Sequence, residues 1–397
     1  MAQFMHHRLS GPSLVSLIHF LFLLGFSGAG MLQPLLTLYQ QLSQTEIGTL
    51  LFISSICSSI IRVPAGIASD RYGRRPSVLL AGGILISSAA LYIVSQSFLQ
   101  MVLPFSLWGI GVGIYWTSYN AMIADVTEVT TRFRAYSRIQ IIGQIANLIS
   151  PPFSGLLADV LGITSAYVFP IISFLILGVF SLWLPRRNMT QKNHNVTRSL
   201  NVLKSPSMKS VVFFFTGLNV IHGLYVGIFW PARTIFFKDQ FGLNYSEVGL
   251  LNSAFMLAQI IGLALSNKIA KRFKPKWTMT TATLASAVIV FLHSVIGSAF
   301  WLLPITMLHG LTIAFGFMSP IATTILMNSI SESVRATVQG VTGTVWRIGM
   351  AVGNLAMGTV WALWGLLAIP YIGAAILLGE SILILAQLPQ DRTQSEP

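Results

Sequence analysis

The sequence predicts an all-α membrane protein with twelve transmembrane helices in two six-helix bundles, and three observations predict it: composition, apolar segments and charge distribution. Of the 397 residues, 54% are hydrophobic and 9% are charged, whereas soluble domains carry about 25% charged residues. Apolar runs of about 20 residues, each long enough to cross a bilayer as a helix, follow one another along the chain. Because these runs do not alternate with period two, helices are expected rather than the strands of a barrel.

Twelve segments are predicted to cross the bilayer, and a polar stretch divides them six and six. They cover residues 13–39, 46–68, 76–96, 101–124, 136–158, 164–184, 210–232, 247–267, 277–297, 301–325, 339–361 and 366–388. The first follows a basic stretch, as in a signal peptide, but its apolar run continues towards Leu38 without a small-residue cleavage site, so an uncleaved helix is expected. The polar, basic stretch 185–209 is predicted to link an N-terminal bundle (1–184) to a C-terminal bundle (210–397).

The basic residues are distributed unequally between the loops of the two sides. All but four of the 24 Lys and Arg residues fall on one side; Arg233 and Lys238 fall on the other, and Arg62 and Arg347 lie within predicted helices. Loops rich in Lys and Arg stay in the cytoplasm, so both termini are predicted to be cytoplasmic, in a multi-pass protein of the cell membrane, and a bacterial inner membrane is expected. The net charge of +13 does not indicate nucleic-acid binding, because the basic residues form no domain of their own.

The two halves of the chain repeat each other at an offset of 201 residues. Residues 42–50 (LSQTEIGTL) open the second segment and residues 243–251 (LNYSEVGLL) open the eighth, and the same offset aligns 70–72 with 271–273. Shared loop composition would explain the basic residues but not the common Glu-x-Gly-x-Leu pattern. Since each half holds an even number of segments, the repeats are predicted to be parallel and related by a pseudo-two-fold axis along the membrane normal.

A glycine-containing basic turn lies between the second and third segments. Residues 66–76 read GIASDRYGRRP, in which Gly66 permits close helix packing, Gly73 permits a tight turn and Pro76 is accepted at the start of the next helix. This stretch resembles the G-x-x-x-D-R-x-G-R-R signature of the major facilitator superfamily at every key position. The resemblance extends to the helix count, the parallel repeats and the basic linker, and it is to bacterial drug and sugar efflux-type permeases.

The resemblance implies a conformational latch on the cytoplasmic side. In the family, the residues that match Asp70, Arg74 and Asp125 form a charge cluster that holds the two halves in the outward-facing state. The residues assigned to this latch are Gly66, Asp70, Arg71, Gly73, Arg74, Arg75, Asp125 and Arg134. Lys271 stands where the second copy would carry the aspartate, so a symmetric latch is not expected.

Two further patterns of the family are incomplete. Many proton-coupled members carry an arginine four residues before a glycine of the fourth helix, whereas Phe105 precedes Gly109 here. Drug antiporters carry a glycine-proline pattern in the fifth helix, and Gly143 followed by residues 150–155 (SPPFSG) resembles a loosened version of it. This pattern favours export, although close packing of small residues would explain it equally.

Polar groups within the apolar segments are candidate substrate contacts, because they are costly in lipid unless they are satisfied. In this fold helices 1, 4, 7 and 10 surround a central cavity, supported by helices 2, 5, 8 and 11. The candidates for its lining are Gln33, Trp116, Tyr119, Asn120, Gln144, Asn219, His222, Tyr225, Arg347 and Asn354. Aromatic rings with a few amides suit amphipathic or cyclic organic compounds. Interhelical hydrogen bonds or aromatic belts at the bilayer surface would explain the same residues.

Few charged groups lie within the predicted segments. Arg347 lies about two turns into its helix, where it would bind an anionic substrate group, pair with a carbonyl or extend to the membrane surface. Glu380 is the one carboxylate deep in a segment, but the twelfth helix is peripheral in this fold. His222, His309, His293 and His19 could titrate near neutral pH, although a lone histidine in a membrane more often packs and forms a hydrogen bond. No proton-relay pair is identified, so proton coupling is expected chiefly from the resemblance.

The sequence therefore predicts a secondary active transporter and not an enzyme. It contains no phosphate-binding loop and no metal-ligand spacing, so no cofactor and no metal are expected. The expected function is export of small organic or amphipathic compounds by alternating access with proton antiport, by a monomer whose partners are a small-molecule substrate, protons and the lipid bilayer. The alternatives are an uptake symporter or facilitator of a sugar or organic anion, and a non-transporting membrane receptor on the same fold.

Overall fold

Thirteen α-helices make up the described part of the chain. The computed structural model describes residues 11–126, 132–184, 206–316, 320–330 and 335–388. The helices are α1 (Gly11–Tyr39), α2 (Gln44–Tyr72), α3 (Arg74–Val94), α4 (Phe98–Asp125), α5 (Arg132–Leu161), α6 (Val168–Ser181), α7 (Pro206–Phe241), α8 (Tyr245–Arg272), α9 (Pro275–Val295), α10 (Leu302–Ile313), α11 (Pro320–Asn328), α12 (Arg335–Trp364) and α13 (Ala368–Gln387), with 3-10 turns at Ser165–Tyr167 and Ala299–Trp301. Because α10 and α11 both fall largely within the tenth predicted segment, the all-α fold with twelve predicted segments is confirmed.

Nine helices within the described ranges are long and apolar enough to cross a membrane, and two shorter apolar stretches accompany them. The largest departure from prediction is α7, which begins at Pro206, inside the predicted linker, and ends at Phe241, nine residues beyond the predicted end at 232. Ile235 and Phe237 are fully buried. They prolong the apolar run past Arg233, so a single charge does not end the helix.

The chain forms two compact units, and α7 contributes residues to both. The first unit contains Met1–Lys192 and Thr234–Ser253, and the second contains Asn193–Arg233 and Ala254–Pro397. The division into bundles 1–184 and 210–397 with a cytoplasmic linker stays a prediction.

The repeated Glu-x-Gly pattern builds a similar helix start twice. At α2, the Ser43 amide donates to Glu46 Oε2 at 2.8 Å while the Glu46 amide donates to Ser43 Oγ at 3.4 Å, which is a capping box. At α8, the Asn244 amide donates to Glu247 Oε2 at 2.7 Å. Each glutamate satisfies an amide that the helix itself leaves unpaired. This common local structure agrees with a duplication.

Glycines bring α2 and α4 into close contact in the first unit. A Cβ atom on Gly109 would lie 2.1 Å from the Ser54 carbonyl oxygen, and one on Gly113 would lie 2.7 Å from the Ser58 carbonyl oxygen. No side chain fits at such distances, so backbone packs directly on backbone, as small residues allow in transmembrane helices. In the same unit α1 packs against α5 and α6.

Four glycines join α7 to α12 in the second unit. Cβ atoms on Gly223 and Gly227 would lie 2.2 Å and 2.1 Å from carbonyl oxygens of α12, and Cβ atoms on Gly349 and Gly353 would lie 2.4 Å and 2.3 Å from carbonyl oxygens of α7. On each helix the two glycines are four residues apart, the spacing of closely packed transmembrane pairs. This contact fixes the position of α7, which carries several candidate site residues.

Candidate functional site

Three helices of the first unit meet at the basic turn between α2 and α3. The turn is a single residue, Gly73, whose φ of +95° lies in the region that L side chains avoid. Arg74 Nη1 donates to Asp70 Oδ1 at 2.6 Å and to Ser69 Oγ at 2.9 Å, and Arg74 Nε donates to Asp125 Oδ2 at 2.9 Å. These charge-assisted bonds tie the end of α2 and the start of α3 to the end of α4.

The other latch candidates lie at the same turn, except Arg134. Gly66 leaves 3.3 Å between an added Cβ atom and the nearest side chain of α4. The Arg71 guanidinium lies 5.5 Å from the centre of the neighbouring tyrosine ring, and Arg75 is half-buried. The side chain of Arg134 lies outside the described residues. The role of this group as a conformational latch stays a prediction.

Rings from α1 and α4 stack in the first unit to form a group that we call the aromatic wall. The wall consists of His19, Phe22, Phe26, Tyr115, Trp116 and Tyr119. The Phe22 and Tyr115 rings stack with centroids 3.5 Å apart, and the His19 and Tyr119 rings stack at 3.9 Å. Trp116 stands edge-on to His19 at 5.7 Å. Helical spacing explains the arrangement, because residues three or four apart share one face of each helix.

Two nitrogen atoms of the wall are buried without a hydrogen-bond partner among the described residues. They are Trp116 Nε1 and His19 Nε2, while His19 Nδ1 lies 3.2 Å from the Tyr115 hydroxyl. Leaving a buried polar atom unpaired costs about 1–3 kcal/mol. Trp116 and Phe26 are also partly exposed, so the wall combines accessible ring surface with two buried nitrogen atoms that have no partner among the described residues.

The amide candidates of the first unit are engaged within the protein. Gln33 Nε2 donates to the Tyr92 hydroxyl at 3.0 Å, and Gln144 Oε1 accepts from Asn147 Nδ2 at 3.1 Å. The side chain of Asn120 lies outside the described residues. The bond from Gln33 joins α1 to α3. It is an interhelical hydrogen bond, which the sequence analysis gave as the alternative to a substrate contact.

The proline-containing part of α5 contacts the start of α8 within the first unit. Asp159 accepts two hydrogen bonds, from the amides of Tyr245 and Ser246, both at 2.9 Å. A Cβ atom on Gly155 would lie 2.2 Å from the Tyr245 carbonyl oxygen. The loosened glycine-proline pattern therefore includes a point of close approach between α5 and α8, and Asp159 caps the exposed amides of α8.

The second unit contains a group of buried polar side chains that we call the polar row. It consists of Glu380, His222, Tyr225, His309, His293 and Arg233. His222 Nδ1 lies 3.0 Å from Glu380 Oε2 and 3.2 Å from Oε1, with 5% and 0% of the two side chains exposed. The Tyr225 hydroxyl lies 2.8 Å from His309 Nε2, and the His309 and His293 rings are 6.1 Å apart. The pair of His222 and Glu380 was not identified from the sequence, and it forms because α13 turns Glu380 inward onto His222.

Arg233 ends the polar row among aromatic rings. It is 1% exposed, and its guanidinium carbon lies 4.3 Å from the centre of the Trp230 ring and 4.7 Å from that of Phe255. Such cation–π contacts stabilise a desolvated arginine. Among the described residues no group of three or more His, Cys, Asp or Glu side chains is placed to hold a metal ion.

The remaining candidates of the second unit have separate surroundings. Asn219 Nδ2 donates to the Phe215 carbonyl of its own helix at 2.7 Å. The Arg347 guanidinium carbon lies 5.2 Å from the Trp346 ring centre, and Asn354 is 2% exposed. The structure thus brings Trp116 together with Tyr119 in the first unit, and His222 together with Tyr225 in the second. The use of these residues as substrate contacts stays a prediction.

Comparison with known protein families decides the relationship. Two successive stretches, residues 15–222 and 215–397, each match the sequence model of the Major Facilitator Superfamily. The chain belongs to the Major Facilitator Superfamily. The two matches start 200 residues apart, which agrees closely with the offset of 201 residues between the repeated halves of this major facilitator. The protein is accordingly a multi-pass membrane transporter and not an enzyme.

This major facilitator is similar to bacterial transporters along most of its length. It is 21% identical over 350 residues to "Multidrug resistance protein 2" of Bacillus subtilis, which covers 85% of this chain and 86% of the relative. It is 22% identical over 393 residues to "Inner membrane transport protein YajR" of Escherichia coli, covering 95% and 82%. Among solved structures, the D-xylose-proton symporter is similar with a TM-score of 0.76 at 16% identity, over 98% of each chain. That last likeness concerns the fold alone.

Proposed function

We propose that this major facilitator exports amphipathic aromatic compounds by alternating access, in exchange for protons. The observation that carries the proposal is the aromatic wall with its two unpartnered nitrogen atoms, Trp116 Nε1 and His19 Nε2. Planar rings gain from stacking or edge contact on such a surface, and cations gain from the faces of the rings. Substrate binding that turns the Trp116 or His19 ring would let a polar substituent of the same molecule form a hydrogen bond with these nitrogen atoms.

One further observation supports the direction of transport, and a second supports alternating access. The relative from Bacillus subtilis is named for multidrug resistance. The cytoplasmic termini that the charge distribution predicts would place the basic turn at Gly73 and Arg74 on the inner face of the membrane, where the family carries its latch.

The proposal is tested with everted membrane vesicles that contain the full chain and with ethidium as the probe, since ethidium is a planar aromatic cation. Export from the cell corresponds to uptake into everted vesicles. We expect ethidium to accumulate there when the lumen is acidic and to leave again when an ionophore collapses the pH gradient. Accumulation in right-side-out vesicles with an acidic exterior would instead indicate uptake by symport. Binding of ethidium without flux under any gradient would indicate a receptor.

The wall itself is tested by substitution of Trp116. Loss of one aromatic contact is worth about 0.5–1.5 kcal/mol, so Trp116→Ala should raise the KM for ethidium about two- to tenfold. The control is Trp364→Ala, because Trp364 is 67% exposed at the end of α12. Equal kinetics of both variants and the native protein would contradict a role of the wall in substrate binding.

A further inference from the structure

We propose that His222 and Glu380 form the proton-binding site of the transport cycle, located in the second unit and separate from the aromatic wall. The inference rests on the proposed proton exchange, and it names the groups that carry the proton. It also assigns the coupling to α7 and α13, although α13 corresponds to the peripheral twelfth helix.

The position of Glu380 distinguishes it from every other acidic side chain of the described residues. It is the one that lies more than three residues from either end of its helix, and its side chain is fully buried. Both carboxylate oxygens are within 3.2 Å of His222 Nδ1. The next residue, Ser381, donates to the Thr280 carbonyl of α9 at 3.0 Å. This bond fixes the rotation of α13 and keeps Glu380 directed at His222.

The charge of the pair depends on a single proton. A neutral imidazole beside a carboxylate carries one net negative charge, and addition of one proton from water makes the pair neutral, either as an ion pair or as imidazole and carboxylic acid. In the proposed cycle the pair accepts a proton from water on one side of the membrane and returns it to water on the other side when the conformational change admits solvent.

The groups that face the pair come from several helices. Tyr225 lies one turn beyond His222 on α7, with ring centres 5.6 Å apart, and it bonds to His309 of α10. His293 of α9 lies 6.1 Å from His309 between ring centres. These neighbours carry no negative charge at neutral pH, so Glu380 is the acidic member of the row.

The charged groups of the neighbouring helices are basic. Arg233 closes the row on α7 and is buried. On α12, Arg347 follows Trp346, whose carbonyl oxygen contacts Gly223 beside His222. Lys276 lies at the start of α9, and Tyr371 is the other titratable residue of α13. Within the described part of the second unit, Glu380 is the one carboxylate among these cations. Its protonation therefore changes the net charge of this group of side chains.

A purely structural hydrogen bond between His222 and Glu380 is the competing explanation. It predicts that the pair keeps one protonation state throughout the cycle. It also predicts that removal of either partner impairs all modes of transport alike, because the fold itself would be damaged.

The first experiment measures proton binding without any substrate. Full-length protein in lipid nanodiscs is titrated while infrared difference spectra record the carboxylic-acid C=O stretch. We expect a band that titrates with pH and is missing in Glu380→Gln. Because His222 Nδ1 lies within 3.2 Å of both carboxylate oxygens, His222→Asn should change the pH dependence of the band. The control is Glu247→Gln, an exposed helix-capping residue, which should leave the band unchanged. A band that is absent, or that does not respond to pH, would overturn the proposal.

The second experiment separates coupling from folding in proteoliposomes loaded with ethidium. A gradient of about one pH unit supports at most about a tenfold concentration ratio for each proton exchanged. Glu380→Gln should lose this ratio yet still exchange labelled for unlabelled ethidium in the absence of a gradient, because exchange needs no net proton movement. Glu380→Asp, which keeps a carboxylate, should retain part of the ratio.

The outcomes distinguish the two proposals. If the native protein builds the ratio and Glu380→Gln builds it equally, the proton site is wrong while the proposed function stands. If the native protein builds no ratio although the infrared band titrates, proton antiport is wrong, and the pair binds a proton without being the coupling site of the cycle. If Glu380→Gln loses accumulation and exchange together, the structural explanation is correct and the proton site is wrong.

Discussion

The contact between α7 and α12 offers a quantitative test of how closely the second unit is packed. A Cβ atom on Gly353 would lie 2.3 Å from the Leu224 carbonyl oxygen, about 1 Å short of the 3.4 Å at which ordinary van der Waals contact begins. A backbone oxygen cannot rotate away as a side chain would. In Gly353→Ala the two helices must therefore separate by about 1 Å, or the backbone must distort.

The expected cost follows from two opposing contributions. Overpacking of a tight contact costs about 1–3 kcal/mol, while replacing glycine by alanine inside a helix returns about 0.5–1 kcal/mol. We expect Gly353→Ala to lower the free energy of unfolding by up to about 2.5 kcal/mol net. Gly340→Ala is the matched control, because Gly340 lies on the same helix with no atom within 4 Å of an added Cβ. It should instead raise the free energy of unfolding by about 0.5–1 kcal/mol.

The measurement is reversible unfolding of purified protein in mixed micelles of increasing SDS content, followed by circular dichroism. Opposite signs for the two variants are the expected result. Combining Gly353→Ala with Gly227→Ala should cost less than the two single changes together, because the added Cβ atom of residue 353 lies 3.0 Å from Gly227 Cα and one separation relieves both clashes. If Gly353→Ala is as stable as Gly340→Ala, the close contact described here is wrong.

Three further substitutions test the polar contacts. Arg74→Lys should lower the free energy of unfolding by about 1–2 kcal/mol, since one ammonium group cannot replace a guanidinium that bridges two carboxylates and the site is partly exposed; thermal denaturation measures this. Asp159→Ala should speed amide hydrogen exchange at the first residues of α8, which mass spectrometry after deuterium labelling detects. Glu380→Leu should cost about 3–5 kcal/mol because it removes the buried carboxylate that lies within hydrogen-bond distance of His222 Nδ1, whereas His222→Leu combined with Glu380→Leu should cost much less.

Each of these tests has a clear contrary result. Arg71→Lys is the control for Arg74, because Arg71 is exposed, and equal melting temperatures of the two variants would contradict the bridging role. An unchanged rate of amide exchange at residues 245 and 246 in Asp159→Ala would contradict the role of Asp159 as the cap of α8. Strictly additive costs in the double-mutant cycle would mean that His222 and Glu380 are not energetically coupled.

The helices of this protein could be predicted from sequence because lipid imposes a simple demand on the backbone. Every amide must be satisfied within the membrane, so each crossing appears as one long apolar run. The end of α7 could not be placed in this way. The run continues through Ile235, Phe236 and Phe237 after Arg233, and whether a single arginine ends a helix depends on the aromatic rings that cover it, which are Trp230 and Phe255 here.

The charge cluster and the polar row differ in how far sequence reasoning reaches. Asp70 and Arg74 lie within one short motif, so a family resemblance brings them together. His222 and Glu380 are 158 residues apart, and no local pattern shows which faces of α7 and α13 meet. The useful signal was present all the same: a lone carboxylate in the middle of an apolar helix needs a partner, and the buried histidines were the available ones.

The one-residue connection at Gly73 has a mechanical consequence for the first unit. A longer loop would let α2 and α3 tilt independently. Here a single glycine connects them, and the next residue, Arg74, is hydrogen-bonded to Asp125 at the end of α4. Independent tilting is therefore restricted. Any inclination of α2 is passed directly to its two neighbours. The connected ends of α2, α3 and α4 are therefore expected to move together, so bending during a conformational change must occur elsewhere in the molecule.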